Sequence, residues 1–388
     1  MRLPRFERNA LRTAARRLLT LGTAAAIAAT AGVAPARAVS SSPADAPLFN
    51  GSVYAIAYRG DAVYVGGSFT SVGWGGRSYA RQRLAAFDVA SGALLDWAPS
   101  ADGTVRALAV NGTSVYAGGG FHRIAGIRRD GLARLDASTG EVGAFSHVMT
   151  GSPYALSIAG GRLYVGGSFD SVDGRYRGNL AAFRLEDGAL DTRWRPSADD
   201  SVHALATKGA HVYAGGAFHM ISGIEGTMRI AALHAQTGAV YLPFRPNAPA
   251  QVNALTTDEK GVYAATGGQG GRAIAYSDVG AVRWSRLFDG DAVAITSLRG
   301  TVFVGGHFDR ACLTNRNGLH GACTDGGVDR VKLAAIDGRG ALTGWAPKGN
   351  GVIGVRVLAV DRDRATVAAG GDFTTINGEP RKRFAYFS

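Results

Sequence analysis

Four side chains follow one phrase at four places along this sequence: His122, Asp170, His219 and Asp309 each come directly after a Gly-Gly-x-Phe motif, and His307 lies inside the last copy. Imidazoles and carboxylates ligate metals and move protons near neutral pH, so a set converging on one point would make a metal centre or an acid–base pair. At a strand end, however, Asp, His and Thr also bond the turn that follows, and Thr70 and Thr374 fill the same place in two further copies. Positions that recur once per repeat lie too far apart on opposite repeats to share one ion. The sequence therefore predicts no metal site and no cofactor, and these residues enter as candidates for a binding rim. Catalytic signatures are missing: there is no Gly-x-Ser-x-Gly elbow, no His-Glu-x-x-His and no phosphate-cradling loop before a helix.

Cations gather in the same connections. Arg129, Arg177, Arg310, Arg316 and Arg330 all fall between the Gly-Gly-x-Phe phrase and the next apolar run. One reading makes them structural, each stacked on a neighbouring aromatic ring or paired with a carboxylate, because they recur in nearly every repeat. The other makes them an anion-binding rim for an acidic glycan or a protein.

The elements that would position these residues come from the repeat itself. Val-Tyr-Val-Gly-Gly-Ser-Phe at 63–69 is echoed at 115–121, 163–169, 212–218, 302–308 and 367–373, with a degraded copy at 262–268 that places a Gly-Gly pair at Gly267 and Gly268. The period is close to fifty residues, which marks a repeat architecture. In the first unit the runs 53–58, 62–69, 84–88 and 93–97 alternate or are short and apolar, and turn residues such as Arg59-Gly60-Asp61 and Ala90-Ser91-Gly92 separate them. Four short strands with no helical period make one antiparallel blade. The fold expected is all-β, a seven-bladed β-propeller of four-stranded antiparallel blades. The inner strands, such as 105–110 and 202–207, read as mainly Ala, Val and Leu, with no carboxylates to line a channel.

The last unit runs out after its third strand at 384–387. Leu48 and Phe49 are therefore expected to supply its fourth strand and close the ring, with 39–47 as a short linker and 48–388 as the propeller.

Residues 1–38 read as a secretory signal peptide. Six Arg among the first 17 residues precede an Ala-rich apolar run at 18–31, and Ala36-Arg37-Ala38 offers a cleavage site. The Arg16-Arg17 pair before Leu18-Leu19 also matches the twin-arginine type of leader. Without this leader the formal charge falls from +12 to +6, and no further hydrophobic span remains. The sequence thus points to a secreted or extracytoplasmic protein with no membrane span in its mature form, and export argues against a nucleic-acid partner. Cys312 and Cys323 sit in the longest insertion, 309–331, where an exported protein would form a disulfide.

The phrases 63–69, Leu84-Ala85-Ala86-Phe87-Asp88 and Asp96-Trp97-Ala98-Pro99 make the chain resemble the delta-60 repeat group of secreted bacterial proteins over nearly all of 48–387. The resemblance implies a propeller with a surface role and brings no catalytic residues. Residues 132–140 are also similar to quinoprotein-type repeats, and the Gly-Gly strand ending to kelch-type repeats. The adjacent cysteines and core cysteine of those enzymes are missing, so only the scaffold is implied. The expected function is an exported, non-enzymatic, monomeric β-propeller that binds a protein or glycan of the cell envelope through its variable rim. The alternative is a secreted hydrolase or lyase with a site assembled from rim loops.

Overall fold

The computed structural model describes residues 38–388, and the leader expected at 1–38 lies almost wholly outside them. The described chain is all-β; a single 3-10 turn at Leu319–Gly321 is its only helical piece. It is built from consecutive antiparallel meanders, one per sequence unit, in which the second strand lies between the first and third. Unit one pairs Val53–Arg59 with Ala62–Gly67 and that strand with Leu84–Asp88. The last unit does the same with Val355–Asp361, Thr366–Gly371 and Phe384–Phe387. Second strands such as Ala62–Gly67 are almost wholly buried, as expected for strands covered on both faces.

Fourth strands are shorter than the sequence suggests. Unit five alone among the described units carries one at full length, Val282–Leu287. Elsewhere the third strand meets a single bridging residue: Leu94 on Phe87, Val142 on Leu135, Leu190 on Phe183, Val240 on Leu233 and Leu342 on Ile336. In the last unit Ala44 bridges Tyr386, and Ser40 donates its amide to Ser388 O at 3.2 Å.

Two expectations are corrected here. Residues 39–47 are no linker, because the indole of Trp345 donates to Ser40 O at 2.8 Å and the amide of Asn377 to Ser41 O at 2.9 Å. Leu48 and Phe49 do not form the fourth strand of the last unit. They pair with Ser71–Trp74 in unit one, Leu48 opposite Gly73 and Phe49 opposite Val72. Ala101, Ala198, Phe288 and Gly349 hold the corresponding place elsewhere, each bridging a hairpin of the next unit. Apolar length misleads because these outer edges need only one bridge, which the Ser- and Pro-containing stretch around Ala44 can supply.

The Gly-Gly pair now has a physical reason. Each first strand carries a β-bulge near its start, at Val53/Ala55, Val105/Ala107, Val202/Ala204 and so on through Val355/Val357. The carbonyl ahead of the bulge crosses the second glycine to reach the next amide: Ser68 N donates to Ser52 O at 2.9 Å and Gly120 N to Thr104 O at 2.9 Å. A Cβ on Gly67 would collide with Ser52 O. The first glycine faces the neighbouring unit, and a Cβ on Gly66 would stand 2.7 Å from Val105 Cγ1. The same contact links Gly370 of the last unit to Val53 of the first, at 2.5 Å.

In unit five the register puts Ala265 and Thr266 at these places, not the Gly267-Gly268 pair that the sequence suggests. The residue facing Ala265 across the units is Ala292, where other units have Val or Pro153. The methyl gained on one side is thus offset by the methyls lost on the other.

Candidate functional site

The rim residues named from the sequence occupy separate places. His122, Asp170, His219, His307 and Asp309 are exposed and belong to four different units, with His307 and Asp309 together in the same one. Their backbones, not their side chains, explain the polar position. Asp102 accepts the amides of His122 and Arg123, Asp199 those of His219 and Met220, and Asp289 those of Asp309 and Arg310, all at 2.8–3.0 Å. Asn50 and Asn350 do the same for Thr70 and Thr374. Side chains at this position pair locally, His122 with Asp130 at 3.2 Å and Asp309 with the buried Lys332 at 2.8 Å. Among the described residues no group of three His, Cys, Asp or Glu side chains could hold a metal.

The arginines split into two classes. Arg81, Arg129 and Arg330 each reach the carbonyl of a residue near the fourth-strand bridge, Leu95, Gly143 and Thr343, at 2.7–3.0 Å. In the last unit Arg381 reaches Pro43 O across the join between the chain ends. Each also donates to the carbonyl directly before it, as Arg177 does to Tyr176 O. Arg177 is buried, and desolvation lowers its pKa. These guanidiniums tie a rim connection to the blade edge and are spent on backbone. Arg129→Ala is expected to cost about 1–3 kcal/mol of stability; thermal melting of the variant beside wild type checks it. Arg310 and Arg316 belong to the second class, on the insertion closed by the Cys312–Cys323 disulfide. Arg316 is spanned by both oxygens of Asp325 at 2.8–3.0 Å, and Arg310 donates to Gly327 O at 2.7 Å.

A cavity of about 580 Å³ is bounded by the first strands of successive units, and Tyr54, Arg106, Tyr154, His203, Asn253 and Arg356 line it. Each is the residue skipped at the bulge of its strand, between Val53 and Ala55, Val105 and Ala107, Pro153 and Ala155, and so on. Bulges re-aim the side chain they carry, and here one per unit turns toward the cavity. This corrects the expectation of a plain apolar wall. The sequence signal was a Val-x-Ala phrase with a bulky or polar x, hidden because x changes type from unit to unit.

These side chains form a continuous collar. Arg356 lies over the Tyr54 ring at 5.1 Å, Arg106 over Tyr54 at 5.6 Å and over Tyr154 at 5.4 Å, and Tyr154 meets His203 edge-on at 5.8 Å. Cations over aromatic faces are favourable, more so where water is thinned. Arg356 is held by Asp372 at 2.6 Å, and Asp372 also accepts the Ser52 hydroxyl. Around the far side Gln251 links His203 to Asn253, each at 3.0 Å.

Ser201 Oγ lies 2.9 Å from His203 Nε2, which is the spacing of a nucleophile and its base. The hydrogen-bond chain decides the direction. Asn253 Nδ2 donates to the carbonyl of Ala292 at 2.9 Å, so its Oδ1 faces the amide of Gln251. Gln251 therefore donates to His203 Nδ1, and the imidazole proton sits on Nε2, pointing at Ser201. An imidazole that donates to a hydroxyl cannot take its proton. Burial also pushes the His203 pKa below its ordinary value, which keeps the ring neutral. In this arrangement Ser201 accepts a hydrogen bond from His203 and is not deprotonated by it.

Comparison with known proteins agrees on the scaffold. A family model described as a domain of unknown function (DUF5122) β-propeller matches residues 161–193. The WD40 β-propeller domain of Doa1 superposes with a TM-score of 0.57 at 12% identity, covering 89% of this chain and 96% of that one. The computationally designed Ika8 protein gives a TM-score of 0.49 at 14% identity over 88% of this chain and 98% of its own. No curated protein sequence matches the chain. The fold is that of a β-propeller.

Proposed function

We propose that this chain is an exported, non-catalytic β-propeller of the delta-60 repeat type, with seven blades in a closed ring, that binds a glycan or protein of the cell envelope at its central collar. Closure is supported by the first strands packing in succession and by the last against the first, with Gly370 seated on Val53. Export is supported by the Cys312–Cys323 disulfide, which suits an oxidising compartment. Among the described residues no helix is long and apolar enough to cross a membrane.

The observation that carries the reading is the collar itself. Seven repeats spend one bulge each on turning a side chain into one cavity, and six of the seven, all but Val293, add an aromatic, cationic, imidazole or amide group to an otherwise aliphatic wall. Aromatic and Arg anchors in a concave site are the usual carriers of binding energy. On the rim, by contrast, Arg81, Arg129, Arg330 and Arg381 are engaged with backbone and Arg316 with Asp325. A pull-down on purified cell wall, with a glycan array beside it, compares wild type with Tyr54→Ala/Arg106→Ala. Retention is expected to fall at least about tenfold in the variant, the loss of a binding hot spot, with the melting temperature nearly unchanged because both side chains lie in the mouth. Retention equal to wild type would remove the collar from consideration.

A further inference from the structure

We infer that the collar selects an acidic saccharide, a uronate-bearing glycan whose carboxylate sits on Arg106 and whose hydroxyls meet Asp291. The inference rests on the collar being the binding site and adds the ligand's chemistry. Arg106 is exposed, and among the described residues it has no carboxylate within ion-pair distance and no hydrogen-bond acceptor. The Tyr54 and Tyr154 rings stand 5.6 and 5.4 Å from its guanidinium carbon and take none of its N–H groups, so the fork remains to offer. That edge matches a planar carboxylate with two parallel hydrogen bonds. Arg356, the other collar cation, is already neutralised by Asp372. Arg106 is thus the collar cation left without an ion-pair partner among the described residues, suited to one anionic group.

Asp291 narrows the class. It lines the same cavity and forms no ion pair among the described residues. An acceptor-only carboxylate repels a run of phosphates or sulfates and favours a ligand that brings hydroxyl donors. Asn253 and Gln251 are engaged with each other, with Ala292 O and with His203, so they hold the wall rigid beside it. One carboxylate together with several hydroxyls describes a uronic acid residue. A cavity of about 580 Å³ suits a short oligosaccharide.

Calorimetric titration with trigalacturonate and with its carboxyl-reduced neutral counterpart tests the inference on wild type, Arg106→Gln and Arg106→Lys. Wild type is expected to bind the acidic trimer at least about tenfold more tightly than the neutral one, one good charge-assisted contact. R106Q should abolish that preference, and R106K should restore only part of it because the fork is gone. Equal affinity of wild type for both sugars, or a preference that survives in R106Q, overturns the inference. If neither sugar binds while Tyr54→Ala/Arg106→Ala still loses the cell wall, the saccharide is wrong and the collar stands, with an acidic protein surface as the ligand. If neither binds and that variant keeps its retention, the collar reading falls too.

Discussion

Removal of residues 39–50 should lower stability by roughly 4–8 kcal/mol, the sum of a truncated buried aromatic and an orphaned donor. The segment closes an exposed edge that no other part of the described chain covers. Phe49 is buried, with its ring 4.8 Å from Phe69 and 6.0 Å from Phe384, so it joins the first unit to the last. Ser40 accepts the Trp345 indole, as Asp136 accepts that of Trp97 and His234 that of Trp194. Residue 40 thus does for the last unit what Asp136 and His234, the last residues of their third strands, do for theirs. Without it, the indole N–H loses its only protein acceptor among the described residues. Thermal melting by circular dichroism should show a midpoint lower by on the order of ten degrees. Phe49→Ala alone should account for about 3–5 kcal/mol of the change. An unchanged midpoint after the deletion would mean that the segment lies on the surface without closing anything.

Gly66→Ala should cost about 1–3 kcal/mol by overpacking, and Val105→Ala should relieve it. The added Cβ would stand 2.7 Å from Val105 Cγ1, and removing the valine methyls frees that space. Unit five already carries this solution, Ala265 facing Ala292. In a double-mutant cycle by chemical denaturation, the pair is expected to be less destabilised than the sum of the single changes by about 1 kcal/mol or more. Strict additivity would separate the glycine from the inter-unit contact and leave the repeat without its explanation.

Much of this fold is legible because its rules are steric and recur. The glycine pair is written into six units, and the bulge beneath it is its cause. Unit five shows the limit of the signal. There Thr266 replaces the second glycine, its hydroxyl accepting the Arg272 amide at 3.2 Å, and a chance Gly267-Gly268 nearby drew the register two residues along. The clasp was legible in kind but not in place, since an outer edge satisfied by one bridge leaves no apolar run to read.

The collar was illegible for the opposite reason. Tyr54, Arg106, Tyr154, His203, Asn253 and Arg356 share a backbone position and no side-chain type. A bulge is a property of pairing, visible only once the strands are aligned. The rim arginines, by contrast, do repeat, and that recurrence is the ground of their structural reading. Arg81, Arg129, Arg330 and Arg381 recur because four units share the same backbone tie, and recurrence in a repeat protein speaks first for structure.

The most direct test sets the two surfaces against each other. Retention on cell wall is measured for wild type, for Tyr54→Ala/Arg106→Ala, and for a form in which residues 312–323 are replaced by a short Gly-Ser turn. The account predicts that the collar variant is lost from the wall while the loop-replaced form stays bound within about twofold, below the energy of one hot-spot contact. A loop-replaced form that fails to bind, beside a collar variant that still does, would contradict it and return the site to the rim.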